Sequence, residues 1–134
     1  MSDSIACIAY ENGKIFIAKR QNKGDMARRW EFPGGKIDSG EDFEMAIKRE
    51  MREEFSVEVQ VKEKITECTF EHSGKPCSLT AFRVHFEHDG MEKPFVLTEH
   101  TDYKWVDPKR IPRLKFVDSD MKIYPEVMKH LGLV

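Results

Sequence analysis

Residues 33–57 read PGGKIDSGEDFEMAIKREMREEFSV, a Pro-Gly-Gly turn followed by a segment with helical periodicity. Asp42 is a suitable N-cap for that segment, and Glu44 in the first turn suits the positive end of a helix dipole. Apolar residues recur at four-residue intervals, at Phe43, Ile47, Met51 and Phe55. This spacing predicts a helix over about residues 43–55 with one face packed on a core.

Three glutamates lie close together near the end of this helix. At about 100° per residue, Glu54 falls inside the apolar arc, and Glu50 and Glu53 flank it. Buried like charges repel each other and are costly to desolvate, and a divalent cation held by oxygen ligands would remove the conflict. The alternative is a solvated acidic face, but residues 44, 48 and 52 already supply an outer ladder of alternating charge. The pattern therefore predicts a metal site.

The spacing of this stretch resembles the Nudix box, G-x5-E-x7-R-E-U-x-E-E-x-G-U, in which U is a bulky aliphatic residue. Six named positions match at the required spacing: Gly35, Glu41, Arg49, Glu50, Glu53 and Glu54. With each residue type at about 6%, a chance match anywhere in the chain is on the order of 10⁻⁵. Ser56 departs from the pattern, because the family places glycine there. Serine costs about 1 kcal/mol if that position is left-handed, unless the helix ends by another geometry.

Strand-like and helix-like segments alternate irregularly, which predicts an α+β protein. The predicted strands are residues 4–10, 14–19, 30–32, 57–71, 77–87 and 103–106. A helical turn is predicted to start at Asp107-Pro108, a last helix over about residues 121–131, and turns at Asn12-Gly13 and Asp89-Gly90. The resemblance implies the Nudix fold, an α/β/α sandwich with a mixed central β-sheet, with residues 1–134 forming one domain.

The resemblance also implies a metal site and catalytic residues. The carbonyl of Gly34 and the carboxylates of Glu50, Glu53 and Glu54 would hold Mg²⁺ or Mn²⁺. Catalysis would use Glu50, Glu53 and Glu99, with Glu53 or Glu99 taking the proton. Glu99 stands six residues before Trp105, as in the family, although a surface role is equally open and Asp102 and Glu92 are rival carboxylates. Glu41 and Arg49 would brace the loop against the helix.

Substrate recognition follows from the same resemblance, which extends to the MutT-like, CTP pyrophosphohydrolase-like branch of the family. The nucleotide base would be read by three elements: the strand around Trp30, Glu31, Phe32 and Pro33, Arg20 or its neighbours, and Asp120 before the last helix. Asp118 or Asp120 could equally be an N-cap. An aspartate at this position is compatible with cytosine or with an oxidised guanine.

Composition limits the partners. The formal net charge of −2 and the pI near 6.2 give no global attraction to nucleic acid or to an anionic membrane. The three cysteines form no metal or disulfide spacing, and no apolar stretch is long enough to span a membrane. A cytoplasmic monomer or homodimer acting on a small nucleotide is expected. Cations cluster before the acidic helix and suit a polyphosphate: Lys14, Lys19, Arg20, Lys23, Arg28, Arg29 and Lys36.

The expected activity is Mg²⁺-dependent hydrolysis of a canonical or modified nucleoside triphosphate to a nucleoside monophosphate and pyrophosphate. The resemblance implies nucleotide-pool sanitation, with 8-oxo-dGTP or CTP and modified dCTP as the substrate type. Two alternatives stay open: hydrolysis of another nucleoside diphosphate derivative, and nucleotide binding without turnover.

Overall fold

The computed structural model of the chain describes residues 2–87 and 95–134. The predicted Asp89-Gly90 turn and the rival carboxylate Glu92 lie outside the described residues. Within that part the strands are β1 (Ser2–Glu11), β2 (Lys14–Arg20), β3 (Trp30–Glu31), β4 (Gly34–Lys36), β5 (Val59–His72), β6 (Lys75–Phe86) and β7 (His100–Val106). The helices are α1 (Phe43–Phe55), a 3₁₀ helix (Pro108–Arg113) and α2 (Asp118–His130).

The strands form a mixed sheet in the order β3-β2-β1-β6-β5, with β4 also paired to β1 and β7 to β2. The β1 and β6 strands run parallel, and the other pairs are antiparallel. Asn12 and Gly13 both have positive φ and join β1 to β2, so the predicted hairpin turn is confirmed. The prediction of a mixed sheet in an α+β protein is confirmed as well.

Two hydrophobic cores lie on opposite faces of the sheet. Ile5 and Cys7 of β1 belong to the core that contains the apolar face of α1, whereas Ala6 and Ile8 belong to the core that contains α2. Such alternation is the two-residue period of a strand whose faces are both covered. The arrangement is therefore the predicted α/β/α sandwich.

The bounds of α1 agree with the prediction, and its N-terminus is capped as expected. The side chain of Asp42 accepts a hydrogen bond of 2.8 Å from the backbone N–H of Met45. The last helix, α2, begins at residue 118, three residues earlier than predicted. Neither Asp118 nor Asp120 caps it, because Val117 occupies the N-cap position without a side-chain hydrogen bond.

Two expectations from composition can be compared with the structure. Cys7, Cys68 and Cys77 are free. None of the helices in the described residues combines the length and the apolar composition that a membrane span requires.

Ser56 ends α1 in the left-handed conformation, with φ of 54° and ψ of 40°. Its N–H donates to the carbonyl of Arg52 at 3.0 Å. The helix therefore ends in the left-handed geometry that a glycine usually provides. We expect Ser56→Gly to raise the free energy of unfolding by about 1 kcal/mol, because glycine removes the strain on Cβ. Urea unfolding measures the change, and Ser56→Ala, which keeps Cβ, is the matched control. An equal gain from both variants would contradict this explanation.

Candidate active site

One cavity of about 640 Å³ brings most of the predicted site residues together. Four carboxylates from α1 and the segment before β7 line it: Glu50, Glu53, Glu54 and Glu99. Arg20, Lys23 and Lys36 contribute positive charge, and the predicted residues Glu31, Phe32, Gly34 and Asp120 also line the cavity. The cavity therefore combines clustered carboxylates with cations and with a second, separate acidic side chain.

The glycines of the Pro-Gly-Gly turn bring the backbone of β4 close to both β1 and α1. A Cβ atom on Gly34 would overlap the backbone carbonyl oxygen of Ile5. A Cβ atom on Gly35 would lie 2.7 Å from the carboxyl carbon of Glu50, so the carboxylate would have to move from its present position. Because these two positions have no side chain, Gly34 can lie directly against the backbone of β1 and Gly35 against the carboxylate of Glu50.

Glu54 is the buried member of the acidic group, as the helical wheel predicted. Its exposed fraction is 4%, compared with 9% for Glu50, whereas the side chain of Glu53 is exposed. Burial, reinforced by the charge of Glu50, raises the pKa of Glu54 to about 10 from an ordinary value of 4.5. Burial also raises the pKa of Glu50, and the two carboxyl groups are close enough to share a proton.

Arg49 braces this arrangement from outside the cavity. Its guanidinium donates to Glu41 at 2.7 Å and 2.9 Å and to the backbone carbonyl of Lys36 at 2.9 Å. The same group reaches Glu50 at 2.9 Å and Glu53 at 3.2 Å. Glu41 and Arg49 therefore join the loop before α1 to the helix itself, as the resemblance implied.

The donor set fits a hard divalent cation. Across residues 2–87 and 95–134, no group of three or more Asp, Glu, His or Cys side chains lies close enough together to hold a metal ion without rearrangement. Even so, Oε2 of Glu54 lies beside the carboxyl group of Glu50 and is buried without a hydrogen-bond partner in the part of the chain that the structure describes. A buried carboxylate oxygen without a partner is costly, and carboxylate oxygens are the ligands that Mg²⁺ prefers. Glu53 also lines the cavity, although Arg49 binds its carboxylate.

Asp120 occupies a different part of the same cavity. It is 5% exposed, and its Oδ2 accepts a hydrogen bond of 2.9 Å from the backbone N–H of Phe32. Burial, followed by the charge of Glu31, raises the pKa of Asp120 to about 8 from 3.8. The carboxyl group is therefore held in place without being a helix cap.

A residue that the sequence did not reveal connects the two parts of the cavity. His100 is buried, and its Nε2 lies 2.8 Å from Oε2 of Glu31. The other oxygen of Glu31 accepts a hydrogen bond of 3.0 Å from Arg20, and the imidazole stacks on the ring of Phe55. A single histidine in a strand belongs to no motif, so no signal in the sequence could have identified it.

Two of the predicted base-reading residues lie outside the cavity lining. The indole ring of Trp30 lies beneath Lys104, whose Nζ is 4.4 Å from the ring centroid. The backbone N–H of Trp30 donates to the carbonyl of residue 115, and its carbonyl accepts from the N–H of residue 117. The carbonyl of Pro33 accepts a hydrogen bond of 2.7 Å from Cys7. Of this strand segment, Glu31 and Phe32 line the cavity, whereas Trp30 and Pro33 do not.

The basic residues before α1 also separate in space. Arg28 and Arg29 line a second cleft beside Phe116, and Arg29 pairs with Asp118 at 3.1 Å. The rival carboxylate Asp102 does not line the active-site cavity, and its Oδ1 accepts from the N–H of Tyr103. Only part of the predicted basic surface therefore faces the clustered carboxylates.

Known proteins resemble this chain over most of its length. The NUDIX domain family model matches residues 2–127. CTP pyrophosphohydrolase of Escherichia coli (strain K12) is 30% identical over 128 residues, which cover 96% of this chain and 92% of that protein. An 8-oxo-dGTP diphosphatase of Haemophilus influenzae is 30% identical over 116 residues, which cover 87% of this chain and 82% of that protein.

Solved structures agree with the family match. The solution structure of the E. coli ORF135 protein superposes with a TM-score of 0.81 at 29% identity, covering 96% of this chain and 89% of that one. A MutT protein from Methanosarcina mazei Go1 gives a TM-score of 0.80 at 21% identity, covering 98% of this chain and 94% of that one, and shows the fold alone. The predicted Nudix fold is confirmed, and the chain belongs to the Nudix hydrolase family.

Proposed function

We propose that the protein hydrolyses a canonical or modified nucleoside triphosphate to a nucleoside monophosphate and pyrophosphate, with Mg²⁺ as the cofactor. The observation that carries this proposal is one cavity lined by the carboxylates of α1, by three cations and by the buried Asp120. The names of the two curated relatives favour CTP or 8-oxo-dGTP as the substrate type. We also propose modified dCTP as a candidate substrate and nucleotide-pool sanitation as the role.

The cations would bind the phosphate chain. Arg20, Lys23 and Lys36 line the cavity, and the side chain of Arg20 is 41% exposed, so its guanidinium is accessible to a ligand. Glu31 holds one terminal nitrogen of this guanidinium and leaves other N–H groups for phosphate oxygens. Guanidinium groups bind phosphates through paired, charge-assisted hydrogen bonds.

The acidic group would hold the cofactor. Nudix hydrolases generally use divalent metals, and Glu50, Glu53, Glu54 and the carbonyl of Gly34 would supply the oxygen ligands. A bound Mg²⁺ or Mn²⁺ supplies charge neutralisation for the phosphates and lowers the pKa of water. Glu54 must lose its proton when the cation binds, because its pKa is raised by burial in the metal-free protein.

Proton transfer would fall to an exposed carboxylate. The attacking water loses a proton as its oxygen bonds to phosphorus, and the anhydride bond between the monophosphate and the pyrophosphate breaks. Glu53 or Glu99 would accept that proton, because both line the cavity and both are more exposed than Glu50 and Glu54.

Base recognition would use Asp120 together with the strand that contains Phe32. The hydrogen bond from the Phe32 N–H fixes the carboxyl group of Asp120. A protonated aspartic acid donates one hydrogen bond and accepts others, whereas an ionised one only accepts. Either form suits a base that has an exocyclic amine beside a ring nitrogen or carbonyl group.

A pyrophosphate-release screen tests the proposal. Canonical, methylated and oxidised triphosphates are assayed with Mg²⁺, with Mn²⁺ and with a chelator, and products are separated to distinguish pyrophosphate from phosphate release. We expect metal-dependent pyrophosphate release, with at least one base preferred by about tenfold or more. Asp120→Asn should change the order of preferred bases, whereas the exposed Asp118→Asn on the same helix should not.

Three results would contradict the proposal. They are no turnover of any triphosphate, release of phosphate in place of pyrophosphate, and faster hydrolysis of a nucleotide sugar or dinucleoside polyphosphate included in the panel. Binding of nucleotides without any turnover would support the alternative of a non-catalytic module. We further propose action in the cytoplasm, as a monomer or homodimer, on small nucleotides.

A further inference from the structure

The segment that contains Glu99 is attached to the end of α1. The hydroxyl of Thr98 donates a hydrogen bond of 2.6 Å to the backbone carbonyl of Glu53, and the N–H of Thr98 reaches the carbonyl of Glu54 at 3.4 Å. The side-chain amide of Gln21 donates to the carbonyl of Thr98 at 3.4 Å. Carbonyls in the last turn of a helix have no hydrogen-bond partner within the helix. Thr98 therefore supplies donors to two carbonyls at the end of α1 that the helix itself cannot satisfy.

The residue on the other side of Glu99 is equally fixed. The imidazole of His100 is 2% exposed, stacks on Phe55 with ring centroids 5.2 Å apart, and contacts Glu31 at 2.8 Å. Both neighbours of Glu99 in the chain are therefore held, one by the backbone of α1 and one by the buried interior.

Glu99 itself is left available. Among residues 2–87 and 95–134, no side chain or backbone group donates a hydrogen bond to its carboxylate, and Glu99 lines the cavity together with Glu53 and Glu54. The last turn of α1 contains Glu53 and Glu54, and the hydrogen bond of Thr98 is made to that same turn. A change in the position of this turn would therefore move Glu99 together with the carboxylates of α1.

We propose that Thr98 is a positioning residue that sets the distance between the Glu99 carboxylate and the carboxylates of α1. The proposal rests on the proposed function, and of its two candidate proton acceptors it takes Glu99 in preference to Glu53. Small misplacements of a catalytic group are costly, since a shift of about 1 Å can lower a rate by about 100-fold. A hydroxyl that joins the two elements at 2.6 Å restricts such shifts.

A double-mutant cycle between Thr98 and Glu99 tests the proposal on the full chain. Thr98→Val keeps the shape and removes the hydroxyl, and Thr98→Ser keeps the hydroxyl. For pyrophosphate release we expect Thr98→Val to lower kcat by about tenfold with KM changed by less than about twofold, and Thr98→Ser to stay close to wild type. Glu99→Gln should lower kcat by about 100-fold, and adding Thr98→Val to it should have no further effect.

Amide hydrogen exchange gives a readout that does not depend on turnover. Thr98→Val should speed exchange at residues 98–100 in the metal-free protein, and Thr98→Ser should not. Independent, additive effects of the two substitutions, unchanged exchange in Thr98→Val, or equal losses in Thr98→Val and Thr98→Ser would each overturn the positioning role alone. Full activity of Glu99→Gln would also overturn it, whereas absence of wild-type turnover would overturn the proposed function and this inference together.

Discussion

Replacement of Glu54 by glutamine is expected to lower kcat for pyrophosphate release by about 1,000-fold at saturating Mg²⁺. Glu54 is the most buried of the four carboxylates, and its Oε2 has no hydrogen-bond partner within the described residues. Glutamine has almost the same shape but cannot supply a negative charge to a cation. Steady-state kinetics over a Mg²⁺ titration measures the effect, and Glu44→Gln on the exposed face of the same helix is the control.

The same substitution is expected to stabilise the metal-free protein at alkaline pH. Because folding raises the pKa of Glu54 to about 10 from 4.5, the folded state keeps a proton that the unfolded state releases between these values. Stability contributed by this group is therefore complete at low pH and declines as pH rises through that window. In Glu54→Gln the decline should be smaller, as measured by urea unfolding in a chelator at about pH 6 and about pH 9.

Asp120 contributes to the pH dependence with the same sign, since its pKa is raised to about 8 from 3.8. Part of the decline in stability should therefore persist in Glu54→Gln and become smaller when Asp120→Asn is added. Near-normal pyrophosphate release by both Glu53→Gln and Glu54→Gln would defeat the metal-site assignment. Identical pH profiles of the wild type and Glu54→Gln would show that Glu54 is not the buried carboxyl that titrates.

Gly34→Ala is expected to lower the free energy of unfolding by about 3 kcal/mol or more, and the protein is expected to lose activity as β4 moves away from β1. The added Cβ would overlap the carbonyl oxygen of Ile5, and backbone atoms of a paired strand cannot move aside as a flexible side chain can. The φ of Gly34 is also positive, at 150°. Urea unfolding and kcat, measured on the same preparations, give the two effects.

Gly40→Ala separates the steric overlap from the cost of a positive φ. Gly40 has φ of 84°, and a Cβ atom there would have no neighbour within 4 Å. We expect it to cost only about 1 kcal/mol and to leave kcat unchanged. Equal losses of stability in the two variants would mean that the close approach of Gly34 to β1 is not what requires glycine.

Local chemistry explains why the sequence predicted α1 so well. Its apolar spacing, the Asp42 cap and the fixed geometry of a helix all act within a few residues, so the bounds 43–55 and the burial of Glu54 follow from the stretch itself. Conversely, α2 begins earlier than predicted because no capping side chain marks its start. The N–H of Val117 there donates to the carbonyl of Trp30, a contact that no local pattern could indicate.

The sequence by itself determined the family, the α+β class and the carboxylates that would hold a cation, because these depend on residue types at fixed short spacings. Only the tertiary structure decided which cations face those carboxylates, that Asp120 is fixed by Phe32, and that Thr98 and His100 anchor the segment around Glu99. The contacts of Asp120, Thr98 and His100 each join residues that are at least 45 positions apart in the chain. Strand pairing and packing against the two cores bring these residues to their partners. Neither process produces a periodic pattern in the sequence from which the contacts could be predicted.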